Sequence, residues 1–172
     1  TKGWTGVPPL YPQKPAGTDE QIDAGEAFHL WDHLSARYDA VEITQIYENY
    51  VHDPDFAFFL RRGLRNVLEE QINTLEKEID HFGLPLPERP PKSVKTRDHV
   101  QVIEDSLMFR QLLSSLQFML VLHSTALKQN VTNDRLRGMY QRFLRQELDS
   151  LDNLIKYGKL KGWRRPAPLY RV

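Results

Sequence analysis

The chain has 172 residues, which is long enough for one domain with a substantial hydrophobic core. Its 23 basic and 23 acidic residues give a net charge of zero, so no overall electric field favours nucleic acid, a membrane surface or an acidic partner. The absence of cysteine excludes disulfides, thiolate metal sites and thiol catalysis. No apolar run approaches the length of a membrane span and no secretory leader opens the chain, so we predict a soluble cytoplasmic protein.

The N-terminal region predicts an irregular arm followed by a long helix. Residues 1–17 are rich in proline and glycine, which break regular structure. The sequence Thr18-Asp19-Glu20-Gln21 then predicts a capping box that opens helix A, and this helix is expected to extend to about residue 52. Asp53 and Pro54 form an N-cap and first-turn pair, so helix B begins almost at once. Because the connection is so short, helices A and B are expected to be antiparallel neighbours.

Two further helices complete an all-α four-helix bundle. Helix B is expected to end near residue 82, and helix C is predicted from about residue 98 to 128. Helix D, capped by Thr132-Asn133-Asp134, is expected to end near Gly158 or Gly162. Gly63 and Gly138, which lie inside helices B and D, are predicted to mark close helix approach. The bundle is therefore expected to occupy residues 18–160, with a basic and aromatic tail at 161–172.

The connection between helices B and C favours one bundle topology over another. About fourteen proline-rich residues in extended conformation reach roughly 43 Å, which is about the length of one helix. Such a segment can carry the chain back along the bundle, so that helices B and C are parallel, as in ferritin-like folds. A simple up-down-up-down bundle needs only a few residues at this point, and it stays open as the alternative.

Several polar residues fall on the apolar faces of the predicted helices at the helical spacing of about 100° per residue. Buried carboxylates and imidazoles are costly unless they are paired, hydrogen-bonded or bound to metal. Three of these residues are predicted as polar members of the core: Asp105, Gln71 and Glu78. Three others are the candidate ligands of a reduced metal site completed by water: Glu42, His123 and Glu147.

The ligand motif of di-metal bundles is incomplete in this chain. Glu-x-x-His occurs at Glu26–His29 and at Glu78–His81, but both pairs lie near helix ends and largely toward polar faces. His29 and His33 have the i, i+4 spacing that can chelate a divalent ion, although such pairs on a partly exposed face commonly have no such role. We therefore expect no cofactor and hydrogen-bonded polar groups in the core, with iron or manganese binding as the alternative.

The C-terminal tail repeats the start of the chain. Lys161-Gly162-Trp163 and Pro168-Leu169-Tyr170 match Lys2-Gly3-Trp4 and Pro9-Leu10-Tyr11 without a gap. Self-similarity of this kind indicates one unit of a fold that also exists in tandem. The cations and aromatic residues of the tail could grip a nucleic-acid backbone, but cations also simply oppose the dipole at a helix C-terminus. With zero net charge, we expect no nucleic-acid partner.

Four segments resemble an uncharacterised ferritin-like family of spore-forming bacteria, whose members are often described as candidate spore-coat proteins. They are Leu30-Trp31-Asp32, Ala36-Arg37-Tyr38-Asp39, Asn133-Asp134-Arg135-Leu136-Arg137 and Lys156-Tyr157-Gly158-Lys159-Leu160-Lys161-Gly162-Trp163. Some members of that family carry two tandem bundles. The resemblance implies the crossover bundle and a spore-associated location. It does not imply iron chemistry, because the ferritin ligand pattern is lost on helices B and D.

These observations lead to two functional expectations. The first is a non-enzymatic bundle with a structural or assembly role, as in the spore coat, with further copies of itself or coat proteins as partners. A second apolar strip on helix A supports it, since this strip could bury against another subunit or the arms: Ile43, Ile46, Tyr47 and Tyr50. The alternative is a carboxylate-bridged metal protein, either an oxidase or a metal store. The sequence leaves open whether the protein is an enzyme.

Overall fold

The computed structural model describes residues 21–91, 93, 103–165, 167–168 and 170, and all regular structure in these ranges is helical. The elements in chain order are α1 (Ala24–Tyr50), α2 (Pro54–Phe58), a π-helical stretch (Phe59–Leu64), α3 (Arg65–His81), α4 (Asp105–Gln129) and α5 (Asp134–Lys161). Because α2, the π-helical stretch and α3 follow one another without a break, they form a single long helix. The predicted all-α bundle of four long helices is confirmed. None of the described helices is both long enough and apolar enough to cross a membrane.

Two helix starts agree with the sequence and two differ from it. The side chain of Asp53 accepts hydrogen bonds from the backbone at the start of α2, and Asn133 does the same at the start of α5, as predicted. The capping box predicted for helix A at residues 18–21 lies mostly outside the described residues, but residues 21–23 are not helical and α1 begins at Ala24, after a capping box formed by Asp23 and Glu26. The predicted start of helix C near residue 98 lies outside the described residues, but residues 103 and 104 are not helical and α4 begins at Asp105, so the helix is shorter than predicted.

Contacts at one end of the bundle show which helix termini lie together. The Glu26 carboxylate, in the first turn of α1, accepts hydrogen bonds from the backbone of the α4–α5 turn. Arg135, near the start of α5, donates to Glu78, near the end of α3, at 2.5 Å. The start of α1, the end of α3, the end of α4 and the start of α5 therefore share this end.

The opposite end brings together the other four termini. Asp105, the first residue of α4, accepts hydrogen bonds from the backbone N–H groups of His52 and Asp53. Lys161, the last residue of α5, pairs with Asp53 at 2.6 Å. Helices α3 and α4 therefore run parallel, and the chain between residues 81 and 105 joins opposite ends of the bundle. These contacts exclude the up-down-up-down alternative and agree with the arrangement that the length of the proline-rich segment favours.

Apolar side chains from all four helices fill the interior. The fully buried members include Leu30 and Leu34 of α1, Leu75 and Ile79 of α3, Met108 and Phe109 of α4, and Phe143 and Leu154 of α5. The predicted second apolar strip of helix A is only partly exposed to solvent. Tyr47 and Tyr50 are half-buried and pack against this core, whereas Ile43 is exposed.

The close approach between helices occurs at a glycine that the sequence had placed at a helix end. A Cβ atom on Gly158 would lie inside van der Waals contact of three atoms of the Phe109 ring, one of them 2.8 Å away. The predictions for Gly63 and Gly138 are wrong, because a Cβ would meet only ordinary contacts at Gly63 and nothing within 4 Å at Gly138. Helix α5 ends three residues after Gly158, where Gly162 adopts a left-handed φ of 69°.

Glu26 links the first turn of α1 to the α4–α5 turn through hydrogen bonds. Its Oε1 accepts hydrogen bonds from the backbone N–H groups of Thr132 and Asn133 at 3.0 Å each, and its Oε2 accepts one from Asp23 at 3.1 Å. We predict that Glu26→Ala lowers the free energy of unfolding by about 3 kcal/mol, because three backbone donors lose their acceptor. Urea denaturation measures this effect. Glu42→Ala on the same helix is the control and is expected to change stability by less than about 0.5 kcal/mol; equal losses in the two variants would contradict the role of Glu26.

Candidate functional site

The buried polar side chains of the core gather around Arg37. This arginine of α1 is only 1% exposed. Its Nη2 donates to Oε2 of Glu147 on α5 at 2.7 Å and lies 2.6 Å from Nε2 of His123 on α4. His123 Nε2 and Glu147 Oε2 are themselves 3.5 Å apart. One guanidinium group therefore joins three of the four long helices in the middle of the bundle.

The protonation states of this cluster follow from its donors and from its burial. Arginine can only donate, so Nε2 of His123 accepts and the imidazole is neutral. Burial is the main cause that lowers the pKa of His123, and the charge of Arg37 lowers it further. Burial alone would raise the pKa of Glu147, but the hydrogen bond and the positive charge of Arg37 outweigh this effect and lower the pKa. At neutral pH, the cluster is an ionised Arg37–Glu147 pair beside a neutral imidazole.

Two more polar rings extend the cluster toward the start of α1. The His33 ring lies 5.2 Å from the His123 ring and 4.7 Å from the Tyr140 ring, between centroids. Burial first, and then the neighbouring imidazole of His123, lower the pKa of His33 to about 2, so this ring is neutral at physiological pH. Burial also raises the pKa of Tyr140, so its phenol stays protonated. The interior of the bundle therefore holds a row of neutral rings that ends at one charged pair.

Little open space adjoins the charged pair. A cavity of about 40 Å³ lies beside Arg37 and Glu147, and its other walls are mainly apolar, with Ile43, Tyr47 and Met119 among them. This volume accommodates water molecules but no metabolite-sized substrate. In chemical terms, the cluster is a closed ion pair that holds helices together.

Comparison with known proteins places the chain in a family. Residues 12–172 match the sequence profile of DUF3231, described as a protein of unknown function. The chain belongs to the DUF3231 family. No curated protein gives a significant match.

One solved structure similar to this DUF3231 chain is described as a putative spore coat protein from Bacillus halodurans C-125. The similarity covers 90% of this chain and 98% of that chain, with a TM-score of 0.84 and 23% sequence identity. At this level of identity, the likeness establishes a shared fold.

The structure brings together two of the three candidate metal ligands. His123 and Glu147 are neighbours, but Glu42 is only half-buried and is not a partner of either side chain. Arg37 holds the position between His123 and Glu147 that a metal ion would need. The sequence analysis missed this arginine, although its position three residues after Leu34 and four before Val41 puts it on an apolar face of α1.

The three residues predicted as polar core members lie in different places. Gln71 is fully buried and donates to Gln146 of α5 at 2.9 Å. Glu78 pairs with Arg135 at one end of the bundle, and Asp105 binds backbone N–H groups at the other. None of the three forms a hydrogen bond or ion pair with Arg37, His123 or Glu147, so they serve as separate links between helices.

The start of the C-terminal tail packs on the bundle of this DUF3231 chain. The Trp163 ring contacts the rings of Phe56, Tyr157 and Phe109, with centroids 5.5, 5.5 and 6.1 Å away. Trp163 is therefore engaged by the core rather than presented for base stacking, and the expectation of no nucleic-acid partner stays a prediction. The N-terminal arm at 1–17, with its copy of the tail sequence, lies outside the described residues.

Proposed function

We propose that this chain is a ferritin-like, non-enzymatic helical bundle with a structural or assembly role in or near the spore coat. The parallel α3 and α4, joined by a segment that runs between opposite ends, support the ferritin-like assignment. The spore-coat description of the similar Bacillus halodurans protein supports the location, and the shared fold makes the comparison relevant.

The observation that carries the structural role is the Arg37–Glu147–His123 cluster. Metal centres in ferritin-like bundles turn several carboxylates and imidazoles toward the same ions. Here, Nη2 of Arg37 already donates to both Nε2 of His123 and Oε2 of Glu147 at hydrogen-bond distance. An iron or manganese ion bound by Glu42, His123 and Glu147 would have to displace the Arg37 guanidinium. The Glu42 carboxylate, which is not a partner of His123 or Glu147, would also have to move toward the ion. The geometry therefore supports a structural core over an oxidase or a metal store at this position.

Assembly with further copies is supported by the outer face of α4. This helix exposes apolar side chains at Leu107, Phe118 and Val121, whose spacing of eleven and three residues puts them on one side. Phe118 and Val121 are each 63% exposed. A chain of zero net charge has no overall repulsion between copies, so contact between such faces costs little electrostatic energy. We propose that a second copy covers this face.

Self-association through α4 predicts a specific effect of a charge on that face. Val121→Asp is expected to shift the protein toward the monomer in sedimentation equilibrium, because burying an unpaired carboxylate opposes association. Val131→Asp is the matched control, since Val131 is exposed on the α4–α5 turn and lies off this face. A wild-type protein that stays monomeric at high concentration, or equal behaviour of the two variants, would contradict the proposal.

The location is tested separately by immunoblotting coat extracts from purified spores of the source organism. The proposal predicts that the protein is found in the coat fraction. Detection only in the cytoplasm of vegetative cells would remove the spore-associated part and leave the assembly role to be judged on its own test.

A further inference from the structure

We propose that His29, Asp32 and His33 of α1 form a binding site for a divalent transition-metal ion of the Zn²⁺ or Fe²⁺ type. One ligand atom from each residue lies within 4.8 Å of the others. Ligands of a tetrahedral ion at about 2.0–2.1 Å lie about 3.3 Å from one another, so modest side-chain rotations close the site. The site goes beyond the structural role, because the bundle assembles around Arg37 without it.

The positions of the three residues on the helix favour chelation. Residues at i, i+3 and i+4 lie on one face of an α-helix, so a single turn of α1 presents all three side chains together. The helix is held at this point by the capping box of Asp23 and Glu26 and by the bonds from Glu26 to the α4–α5 turn. A rigid helical turn is a suitable scaffold for a metal site, because the backbone positions of the ligating residues are fixed before binding.

The hydrogen bonds of the two imidazoles leave one nitrogen free on each ring. Nδ1 of His33 donates to the carbonyl oxygen of His29 at 2.8 Å, so its Nε2 carries a lone pair. Nε2 of His29 donates to the side-chain oxygen of Gln129, so Nδ1 of His29 carries a lone pair. The two side chains are 0% and 4% exposed, and neither of these remaining nitrogens has a hydrogen-bond partner.

Two unpartnered buried acceptors in neighbouring side chains are costly, and a bound cation would satisfy both. Histidines that bind metal usually donate their second N–H group to a carbonyl or carboxylate oxygen, which fixes the ring and its tautomer. His29 and His33 each have such a bond already. The site thus has the supporting hydrogen bonds of a metal centre in place before any ion binds.

Asp32 supplies the negative charge of the proposed metal site and forms the side of the site that is open to solvent. It is partly exposed and makes no hydrogen bond or ion pair within the part of the chain that the structure describes. Two imidazoles and one carboxylate suit Zn²⁺ or Fe²⁺ and leave coordination positions for water. The positive charge of Arg37 faces His33 from the next turn of the helix, but Glu147 neutralises it through their ion pair. The carboxylate of Glu26 also lies in this region and adds negative potential, as its effect on Tyr140 indicates.

Cobalt binding to the purified, chelator-treated full chain tests the site. The visible absorption of Co²⁺ reports the coordination number and geometry of the bound ion, and competition between Zn²⁺ and a chromogenic chelator gives the affinity. We expect about one ion per chain. Asp32→Asn and His29→Gln are expected to weaken binding by about 100-fold, and Gln129→Leu, which removes only the partner of His29, by about 10-fold.

Asp32→Asn is the decisive variant, because a partly exposed isosteric change leaves the fold intact and circular dichroism verifies this. His52→Gln, at an exposed histidine, is the matched control and should bind as the wild type does. Equal affinity of wild type and Asp32→Asn would overturn the proposal, as would binding that is lost in His123→Gln and kept in Asp32→Asn. A chain that binds no Co²⁺ but still self-associates would overturn this site and leave the structural role standing.

Discussion

Replacing Gly158 by alanine is expected to lower the free energy of unfolding by about 3 kcal/mol, the largest loss expected from a single methyl group in this bundle. The new Cβ would overlap the ring of Phe109, which is fully buried and also contacts Trp163. The ring therefore cannot turn aside without disturbing the aromatic cluster at the end of α5. Guanidinium denaturation of the variant and the wild type measures the loss.

Gly138→Ala is the matched control on the same helix. Nothing lies within 4 Å of the position that its Cβ would occupy, and the site is exposed. Alanine is favoured over glycine in a helix interior by about 0.8–1.0 kcal/mol, so this variant is expected to be more stable than the wild type. Two identical substitutions in one helix should thus have effects of opposite sign. A neutral Gly158→Ala variant would show that α4 and α5 are not in close contact there.

Replacing Arg37 by methionine is expected to lower the free energy of unfolding by about 3–5 kcal/mol. The substitution keeps most of the side-chain volume but removes the charge that pairs with Glu147, and it leaves a carboxylate buried without a cation. Arg145→Met, at an exposed position of α5, is the control and should change stability by less than about 0.5 kcal/mol. A loss in Arg37→Met no greater than in the control would contradict the role of the pair.

The same variant should change how stability depends on pH. In the wild type, the pKa of Glu147 is lowered, so its contribution is present at neutral pH and is lost as the pH falls through the folded-state pKa. Without Arg37, burial would raise the pKa of Glu147, and the variant should then gain stability as the pH falls below neutral. Urea unfolding at several pH values distinguishes the two trends. The absence of such a reversal would show that Glu147 is solvated rather than buried against Arg37.

Local signals in the sequence were sufficient to predict much of the fold. The caps at Asp53 and Asn133 involve residues two or three positions apart, so the sequence shows both partners. The length of one proline-rich segment favoured the parallel course of α3 and α4 over the up-down-up-down alternative. The start of α1 was different, because two capping patterns compete there, and Glu26 is favoured by bonds to residues 132 and 133, more than 100 positions away.

The composition of the polar core depended on contacts that the sequence does not reveal. Helical spacing put His123 and Glu147 inside, and the structure brings them together. Their common partner, Arg37, lies 86 and 110 residues away from them. Its spacing from Leu34 and Val41 places it on an apolar face, but an arginine is usually solvated, so this spacing was not sufficient to predict its burial. Gly158 was missed for a similar reason, since only the position of Phe109 on another helix makes a side chain there impossible.

Arg37 and Glu147 form a closed pair that makes the middle of the bundle a structural core. A double-mutant cycle on stability tests it most directly, with Arg37→Met, Glu147→Met and the variant that carries both. We expect a coupling energy of about 3 kcal/mol, because each single change leaves a buried charge without its partner, whereas the double change removes both charges. Losses that add to within about 0.5 kcal/mol would show that the two side chains act independently and would contradict the account.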